Sequence, residues 1–367
     1  MKKMNWKSIV GWLVAIAVIF GIIGHNAYQN KKRSEDVFTI HALMPISGPF
    51  SVYAEDYKKG LELAQKEIDE RYGAGKIKIE LEDSQGNPST AVSIYQQKIM
   101  GNKNRAMILV YSSTAKAIEP LMDGSVISSV VAATLPGVAK PEKHLYQITL
   151  TLKDMLASIH EYIGKKNIKT ASVIYINDDY GAEGLRQFKA GFEKLGGQII
   201  DEIPYNVTQS DLRLQILKAF QNNPEMFWVI GYGSNSYTIL NQLVSLGYTG
   251  LIMTDYSYAW PGFYRQNPEL AEHILTVTST ETEDFKKKYK PLGMDVISMA
   301  HLYDSAIVIA DAYMKFQGDV TKMGDYISNL KNYNGTLGVW TMRSSGDIYL
   351  PTQVVRWVEG GLLPAEE

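Results

Sequence analysis

The chain has 367 residues, of which 37 are basic and 39 acidic, a net charge of −2 and no cysteine. The lack of cysteine excludes disulfides, thiolate metal sites, thiol catalysis and a lipid-modified cysteine as a membrane tether. Because the charge is balanced and no basic stripe with interleaved aromatic residues occurs, the composition argues against nucleic acid as a partner. The length exceeds what one hydrophobic core usually supports, so we expect two lobes.

The first 33 residues differ in character from the rest of the chain. A short basic start is followed by an apolar run of 16 residues from Ile9 to Gly24. That length lies between the core of a signal peptide and a full membrane span of about 20 residues. Trp6 and Tyr28 flank the run as interfacial anchors. We therefore predict a signal or membrane-anchor segment at 1–33, and favour an uncleaved transmembrane helix over a cleaved signal peptide.

From residue 36 onward, strand and helix patterns alternate. Apolar runs predict strands at 37–44, 77–81, 106–110, 129–131, 170–176, 198–203, 226–230 and 251–254. Helical spacing predicts helices over 53–68, 179–195, 211–220, 236–246 and 295–316. A hairpin is predicted at Gly346 and Asp347, between short strands at 335–342, 348–350 and 352–358. This alternation predicts the α/β class, with parallel strands joined by right-handed crossovers.

Two successive predicted strands end in small hydroxyl residues. The strand at 106–110 runs into Tyr111, Ser112, Ser113 and Thr114, and the strand at 129–131 runs into Ala132, Ala133 and Thr134. Ligands of open α/β sheets bind at the carboxyl ends of strands, so these residues predict a pocket rim suited to a small carboxylate or amide. In the alternative interpretation the hydroxyl groups only cap the following helices, which would suffice for Thr114.

Aromatic side chains follow several other predicted strands. Tyr180, Tyr232, Tyr256 and Trp260, together with Tyr111, are expected at strand ends that face the same cleft. Their ring faces would suit a flat or cationic ligand. Packing between the lobes, or simple exposure, is the alternative for Tyr256 and Trp260.

No pattern of catalytic residues is present. The six histidines show no metal-ligand spacing, no GxSxG motif occurs, and residues 231–236 miss the third glycine of a dinucleotide-binding loop. Asp178 and Asp179 fit a helix N-cap followed by a solvated charge better than a metal or acid pair. We therefore expect a protein that is not an enzyme and that has no cofactor and no metal.

The order and spacing of these motifs resemble a known family. They are Pro45 to Pro49 with Tyr53 and Gly60, the two hydroxyl-bearing strand ends, 179–184, Gly231 with Tyr232, and the terminal hairpin. Over about residues 36–360 the chain resembles class I periplasmic solute-binding proteins of the leucine/isoleucine/valine type. The resemblance implies two doubly wound, Rossmann-like lobes joined by three crossings, with lobe one at 36–153 plus 281–345 and lobe two at 154–280 plus 346–363.

The resemblance also implies a function. Such proteins close over one small ligand without altering it, and deliver it to an ABC-type permease in the membrane. A ligand-sensing domain that works with a signalling receptor is the alternative. We expect a monomer at the periplasmic or extracellular face, tethered by the N-terminal helix or secreted if that helix is cleaved, which binds an amino acid, an amide or an aromatic carboxylate. The predicted ligand contacts are Tyr53, Tyr111, Ser112, Ser113, Ala132, Thr134, Tyr180, Tyr232, Asp255 and Tyr256.

Two positions depart from the amino-acid binders of this family. Those proteins place a serine at the first strand end, against the ligand carboxylate, where this chain has Tyr111 beside Ser112. They also use an acidic residue of lobe two to hold the ligand ammonium. In this chain Tyr256 falls at or beside that position, and only the adjacent Asp255 could supply the acidic group. The chain therefore departs from the α-amino-acid binders of the family at the positions expected to meet the ligand carboxylate and the ligand ammonium.

Overall fold

The computed structural model describes residues 37–102, 104–295, 298–359 and 361–366. The segment at 1–33, for which the sequence predicts a signal or membrane anchor, lies outside the described residues. Among the helices of the described ranges, none is both long enough and apolar enough to cross a bilayer.

The described chain alternates between strands and helices, as the sequence predicts. The strands are β1 (Phe38–Met44), β2 (Ile77–Asp83), β3 (Arg105–Val110), β4 (Ile127–Val131), β5 (Leu145–Gln147), β6 (Thr170–Ile176), β7 (Gln198–Tyr205), β8 (Met226–Ile230), β9 (Leu251–Thr254), β10 (Leu275–Ser279), β11 (Tyr333–Gly335), β12 (Gly338–Met342), β13 (Ile348–Tyr349), β14 (Thr352–Val358) and β15 (Gly361–Pro364). The α-helices are α1 (Ala54–Tyr72), α2 (Pro88–Ile94), α3 (Ser112–Ile118), α4 (Leu152–Lys165), α5 (Asp179–Lys194), α6 (Arg213–Phe220), α7 (Ser234–Ser245), α8 (Pro261–Gln266), α9 (Pro268–Glu272), α10 (Met299–Phe316) and α11 (Val320–Ser328).

The first sheet has the strand order β2-β1-β3-β4-β5, and all its strand pairs are parallel. β1 is buried along its whole length, whereas β2, at the edge, has exposed and half-buried positions. Helices α1 and α10 pack together on one face, where α10 also contacts β3 and β4. Side chains of α2 and α3, such as Ala91 and Ile118, join a second cluster with Leu43, Met107 and Leu109. Helices thus cover both faces, which explains why the central strands are continuous apolar runs.

The second sheet continues the same architecture in the following part of the chain. Its order is β15-β14-β10-β9-β8-β6-β7. The strands from β7 to β10 are parallel, whereas β14 and β15 are antiparallel. A small third sheet, β11-β12-β13, is antiparallel throughout. The chain passes between the two large sheets three times, after β5, after β10 and after β13. The mixed α/β fold that the sequence predicts is confirmed.

Two predicted elements differ from the structure for physical reasons. The strand predicted at 335–342 is divided by a turn between β11 and β12. Asp304 stabilises this turn, because its carboxylate accepts hydrogen bonds from the backbone N–H groups of Thr336 at 2.8 Å and Leu337 at 3.2 Å. The helix predicted from Asp295 begins at Met299, since the Asp295 carboxylate accepts from the backbone N–H of Ser298 at 2.7 Å before the first helical turn. Neither difference alters the strand ends that form the site.

Candidate functional site

One cavity of about 290 Å³ lies between the carboxyl ends of the parallel strands of the two large sheets. Elements around both large sheets supply its wall, and each of these sheets with its helices is called a lobe below, the first sheet belonging to the first lobe. Nine of the ten residues predicted as ligand contacts line it, namely Tyr53, Tyr111, Ser112, Ser113, Ala132, Thr134, Tyr180, Tyr232 and Tyr256. The structure therefore brings these side chains together, and their role as ligand contacts stays a prediction.

The backbone at the first-lobe wall adopts an uncommon conformation. Tyr111, directly after β3, has φ of 78°, and Ala132, directly after β4, has φ of 47°. Residues other than glycine seldom adopt positive φ values, and such strained residues concentrate at ligand-binding and catalytic sites. The two neighbouring strand ends with this geometry are the ones that carry the predicted hydroxyl residues. Thr114 differs, because its hydroxyl donates to the backbone carbonyls of Val110 at 2.6 Å and Tyr111 at 2.9 Å and so has a local role.

The hydroxyl group of Tyr111 is buried at the cavity wall without a hydrogen bond to any described residue. Burial raises the pKa of the Tyr111 hydroxyl strongly, and the neighbouring phenol of Tyr57 opposes only part of that rise. A buried hydroxyl that lacks a partner costs roughly 1–3 kcal/mol. A ligand that offers a hydrogen-bond acceptor or donor at this point would remove that cost.

We expect Tyr111→Phe to weaken ligand binding about two- to tenfold without loss of protein stability, because the hydroxyl bonds to nothing else in the described protein. Titration calorimetry with the ligand that the protein releases, together with thermal unfolding, measures both effects. Tyr146→Phe is the matched control: the Tyr146 hydroxyl donates to the carbonyl of Gly324 at 2.9 Å, away from the cavity, so its loss should lower stability and leave affinity unchanged. Equal affinities of wild type and Tyr111→Phe would contradict a ligand contact at this hydroxyl.

Asp178 holds two parts of the second-lobe wall in position. Its carboxylate caps helix α5 by accepting from the backbone N–H groups of Tyr180 and Gly181, both at 2.9 Å, which confirms the N-cap that the sequence predicts. The same carboxylate accepts a hydrogen bond from the hydroxyl of Tyr232. Asp178 thus fixes the backbone that carries Tyr180 and the ring of Tyr232, and it also lines the cavity.

Asp255, predicted as a ligand contact, does not line the cavity. It lies behind the wall with 1% of its surface exposed. Its carboxylate accepts from the backbone N–H of Ser257 at 2.7 Å, the backbone N–H of Gly231 at 2.8 Å and the hydroxyl of Tyr180 at 3.0 Å. Burial raises the pKa of Asp255 to about 6, which these hydrogen bonds partly oppose. The carboxylate therefore ties the ends of β8 and β9 to Tyr180.

Several polar contacts hold the lobes against each other around the cavity. Lys116 of lobe one meets Asp179 of lobe two at 2.9 Å. The hydroxyls of Tyr53 and Tyr237 lie 2.8 Å apart in a buried pair. Trp260, expected at the cleft, is absent from the cavity wall and instead donates from Nε1 to Asp56 at 2.6 Å, which agrees with the alternative of packing between lobes. These contacts join the two lobes around the cavity.

Sequence reasoning did not identify the remaining wall residues as ligand contacts. They are Tyr57, Lys116, Leu135, Asp178, Asp179, Ser257 and Ser298. Tyr57 follows Tyr53 by one helical turn, a spacing that could have indicated it. Ser298 directly precedes α10 and does not follow a strand of either large sheet, and no local pattern marks it.

Among the described residues, one group has the composition of a metal site, formed by His41, Glu80 and Glu82. None of the three lines the cavity. His41 Nδ1 lies 3.0 Å from one carboxylate oxygen of Glu82. The other oxygen of Glu82 accepts a hydrogen bond from Lys98 Nζ at 2.6 Å. Glu80 accepts one from Lys78 Nζ, also at 2.6 Å. With both carboxylates bound to lysines, the group is an ion-pair network within the first sheet.

Comparison with known proteins agrees with the fold. A family model described as periplasmic binding protein matches residues 38–358. The Leu/Ile/Val-binding protein homolog 3 of Brucella melitensis is 23% identical over 349 residues, which cover 89% of this chain and 93% of that protein.

Solved structures share the fold. The leucine binding protein LivK of Thermotoga maritima superposes with a TM-score of 0.80 at 22% identity, covering 89% of this chain and 97% of that one. A solute binding protein of R. palustris in complex with benzoate gives a TM-score of 0.79 at 14% identity, covering 90% and 95%. The predicted resemblance to solute-binding proteins of the leucine/isoleucine/valine type is thereby confirmed, and this chain belongs to the periplasmic binding protein family.

Proposed function

We propose that this protein is the extracytoplasmic solute-binding component of an ABC-type importer, which captures one small ligand by closure of its two lobes. The observation that carries the proposal is the cavity between the lobes, whose wall combines residues of both. Ligands that occupy such a cleft contact both lobes only in the closed form, so they shift the equilibrium toward it by their differential affinity. The contact between Lys116 of the first lobe and Asp179 of the second supports this mechanism.

The lining favours a small, partly apolar ligand. Six tyrosine rings contribute to the wall, namely Tyr53, Tyr57, Tyr111, Tyr180, Tyr232 and Tyr256. Serine and threonine hydroxyls at the first-lobe strand ends supply hydrogen-bonding groups. An amino acid, an amide or an aromatic carboxylate fits this chemistry, and the relatives named for leucine, isoleucine, valine and benzoate fall within that range.

The proposal includes export of the chain and a tether at the membrane. The family is extracytoplasmic, and the apolar run from Ile9 to Gly24 supplies a segment that can direct export. Permease subunits in the membrane would be the partners of a monomeric binding protein. A protein that stays in the membrane pellet after high-salt washing would support the tether, and a soluble form that begins near Tyr28 would show cleavage.

Mass spectrometry of small molecules released from the purified protein tests the proposed function. We expect one compound, in a ratio near one to one with the chain, which rebinds to the ligand-free protein and is recovered chemically unchanged. Conversion of that compound during incubation would favour an enzyme, and a protein that releases and binds no small molecule would contradict solute binding.

A further inference from the structure

We propose that Gln147, which lies behind the first-lobe wall of the cavity, is a positioning residue for ligand binding. Its side chain holds this wall in the shape that receives a ligand, and it ties the wall to the first crossing between the lobes. This inference rests on the proposed function and adds to it a residue that acts on the ligand through the wall. The hydrogen bonds of the segment 132–135 carry it.

The segment 132–135 contributes to the cavity wall but belongs to no helix or strand. It follows β4 directly, and its first residue, Ala132, has φ of 47°, a conformation that residues with a Cβ seldom adopt. Strained backbone of this kind persists only where the surroundings hold it. Ala133, Thr134 and Leu135 are also buried, so their carbonyl oxygens need hydrogen-bond partners within the protein. The shape of the wall therefore depends on those partners.

Residues at the two ends of the first crossing supply all three partners. The side chain of Gln147 donates from Nε2 to the carbonyl of Ala133 and, at 3.1 Å, to that of Leu135. The backbone N–H of Leu152 donates to the carbonyl of Thr134 at 2.9 Å. Gln147 thus binds the backbone on both sides of Thr134, and its carboxamide fixes the position from which the Thr134 side chain faces the cavity.

The same hydrogen bonds join the wall to the second lobe. Gln147 is the last residue of β5 in the first sheet, and Leu152 is the first residue of α4, which packs against β14 of the second sheet. The backbone N–H of Gln147 also donates to the carbonyl of Gly346 at 2.8 Å, in the turn that precedes β13 and the third crossing. A shift of the wall on ligand binding would therefore act on two of the three crossings about which the lobes move.

A purely structural role for Gln147 is the alternative, since a buried carboxamide with hydrogen-bond partners stabilises a fold wherever it lies. The two roles differ in what loss of Gln147 does to the contribution of Thr134. Loss of a positioning residue removes the benefit that the Thr134 hydroxyl gives to a ligand. Loss of a structural residue lowers stability and leaves that benefit unchanged.

A double-substitution cycle in binding affinity tests this inference on the ligand-free full-length protein. The probe is whichever of L-leucine, benzoate and the compound released from the purified protein binds most tightly in titration calorimetry. Gln147→Met keeps the length of the side chain and removes its donors, and we expect it to weaken binding about 5- to 30-fold. Thr134→Ala should weaken binding about fivefold in the wild type, but less than about twofold in the Gln147→Met protein.

Tyr146→Phe is the matched control for Gln147→Met. Tyr146 is the neighbouring residue of β5, is equally buried, and donates its hydroxyl to the carbonyl of Gly324 at 2.9 Å, away from the cavity. This variant should bind the probe like the wild type and show the full effect of Thr134→Ala. Wild-type affinity of a folded Gln147→Met protein, or an effect of Thr134→Ala that is absent from the wild type or equal with and without Gln147, would overturn the positioning role.

Hydrogen exchange tests the same connection without a substitution, and it decides the matter if Gln147→Met does not fold. Saturation of the wild type with the probe should slow exchange of the Leu152 N–H about threefold or more, because a wall fixed by the probe opens less often. The Met323 N–H donates to the carbonyl of Asp319 at 2.9 Å at the start of α11, and its exchange rate should stay the same. An unchanged rate at Leu152 would overturn the inference.

The outcomes separate this inference from the proposed function. Tight binding of the probe that Gln147→Met leaves unchanged would overturn the positioning role and leave solute binding intact. A protein that binds neither L-leucine nor benzoate and releases no compound would contradict solute binding itself, and the inference would fall with it.

Discussion

Gly181→Ala is expected to destabilise the protein by about 2–4 kcal/mol and to weaken ligand binding strongly. Gly181 lies in the first turn of α5, where an added Cβ would overlap with the carbonyl oxygen of Ile176 and lie 2.8 Å from its carbonyl carbon. Both are backbone atoms of β6, so neither can move aside as a side chain could. The helix start would have to shift away from the strand, together with Asp178 and Tyr180.

Gly164→Ala is the control for this substitution. Gly164 lies in α4, and an added Cβ would meet only side-chain atoms of Leu195 at 3.6 Å, an ordinary contact. Alanine is favoured over glycine within helices by about 0.5–1 kcal/mol, so this variant should be unchanged or slightly more stable. Urea unfolding and calorimetry compare the two. A Gly181→Ala protein as stable as the Gly164→Ala protein would contradict the close packing of α5 on β6.

Asp255→Ala is expected to cost about 2–4 kcal/mol of unfolding free energy at pH 7, because it leaves three donors without their acceptor. These are the backbone N–H groups of Gly231 and Ser257 and the hydroxyl of Tyr180. Relief of the desolvation of a buried carboxylate offsets part of the loss. Ligand affinity should fall as well, since Tyr180 lines the cavity and loses the group that orients it.

The stability difference between wild type and Asp255→Ala should depend on pH, because only the wild type carries the titrating Asp255 carboxyl group. Burial raises the pKa of Asp255 from 3.8 to about 6, so the folded protein holds this proton more tightly than the unfolded chain. The resulting stabilisation is present below pH 4 and is lost as the pH rises through about 6, by roughly 3 kcal/mol. The stability difference between wild type and Asp255→Ala should therefore narrow from pH 4 to pH 7. A difference that stays constant or widens over that range would contradict the raised pKa.

The fold could be predicted in large part because buried parallel strands leave a strong pattern. The predicted bounds of the strands at 170–176, 226–230, 251–254 and 352–358 agree with β6, β8, β9 and β14. Strand β10 (Leu275–Ser279) was not predicted, because three of its five residues carry hydroxyl groups and it contains no continuous apolar run. Thr276 and Thr278 are nevertheless buried in the sheet. Buried hydroxyl groups of this kind are placed by neighbouring strands rather than by their own sequence.

The site could be predicted only as far as strand ends determine it. The positions after β3 and β4 lie together at one edge of the first sheet, and those after β8 and β9 lie together at one edge of the second. The cavity takes its wall from both edges. Which way a side chain points after its strand depends on the turn that follows. Asp255 turns inward to accept from Gly231 and Ser257, whereas its neighbour Tyr256 faces the cavity. Tyr57 and Ser298 reach the wall through the packing of α1 and α10, which no strand pattern contains.

Small-angle X-ray scattering tests the central claim, closure of the two lobes over a ligand, most directly. The ligand-free protein, prepared by unfolding, dialysis and refolding, is compared with the same sample saturated with the compound that the purified protein releases. We predict a smaller radius of gyration with ligand, and a profile that matches the closed arrangement in which Lys116 contacts Asp179 and Tyr53 contacts Tyr237. An unchanged radius of gyration under saturating ligand would contradict the closure mechanism.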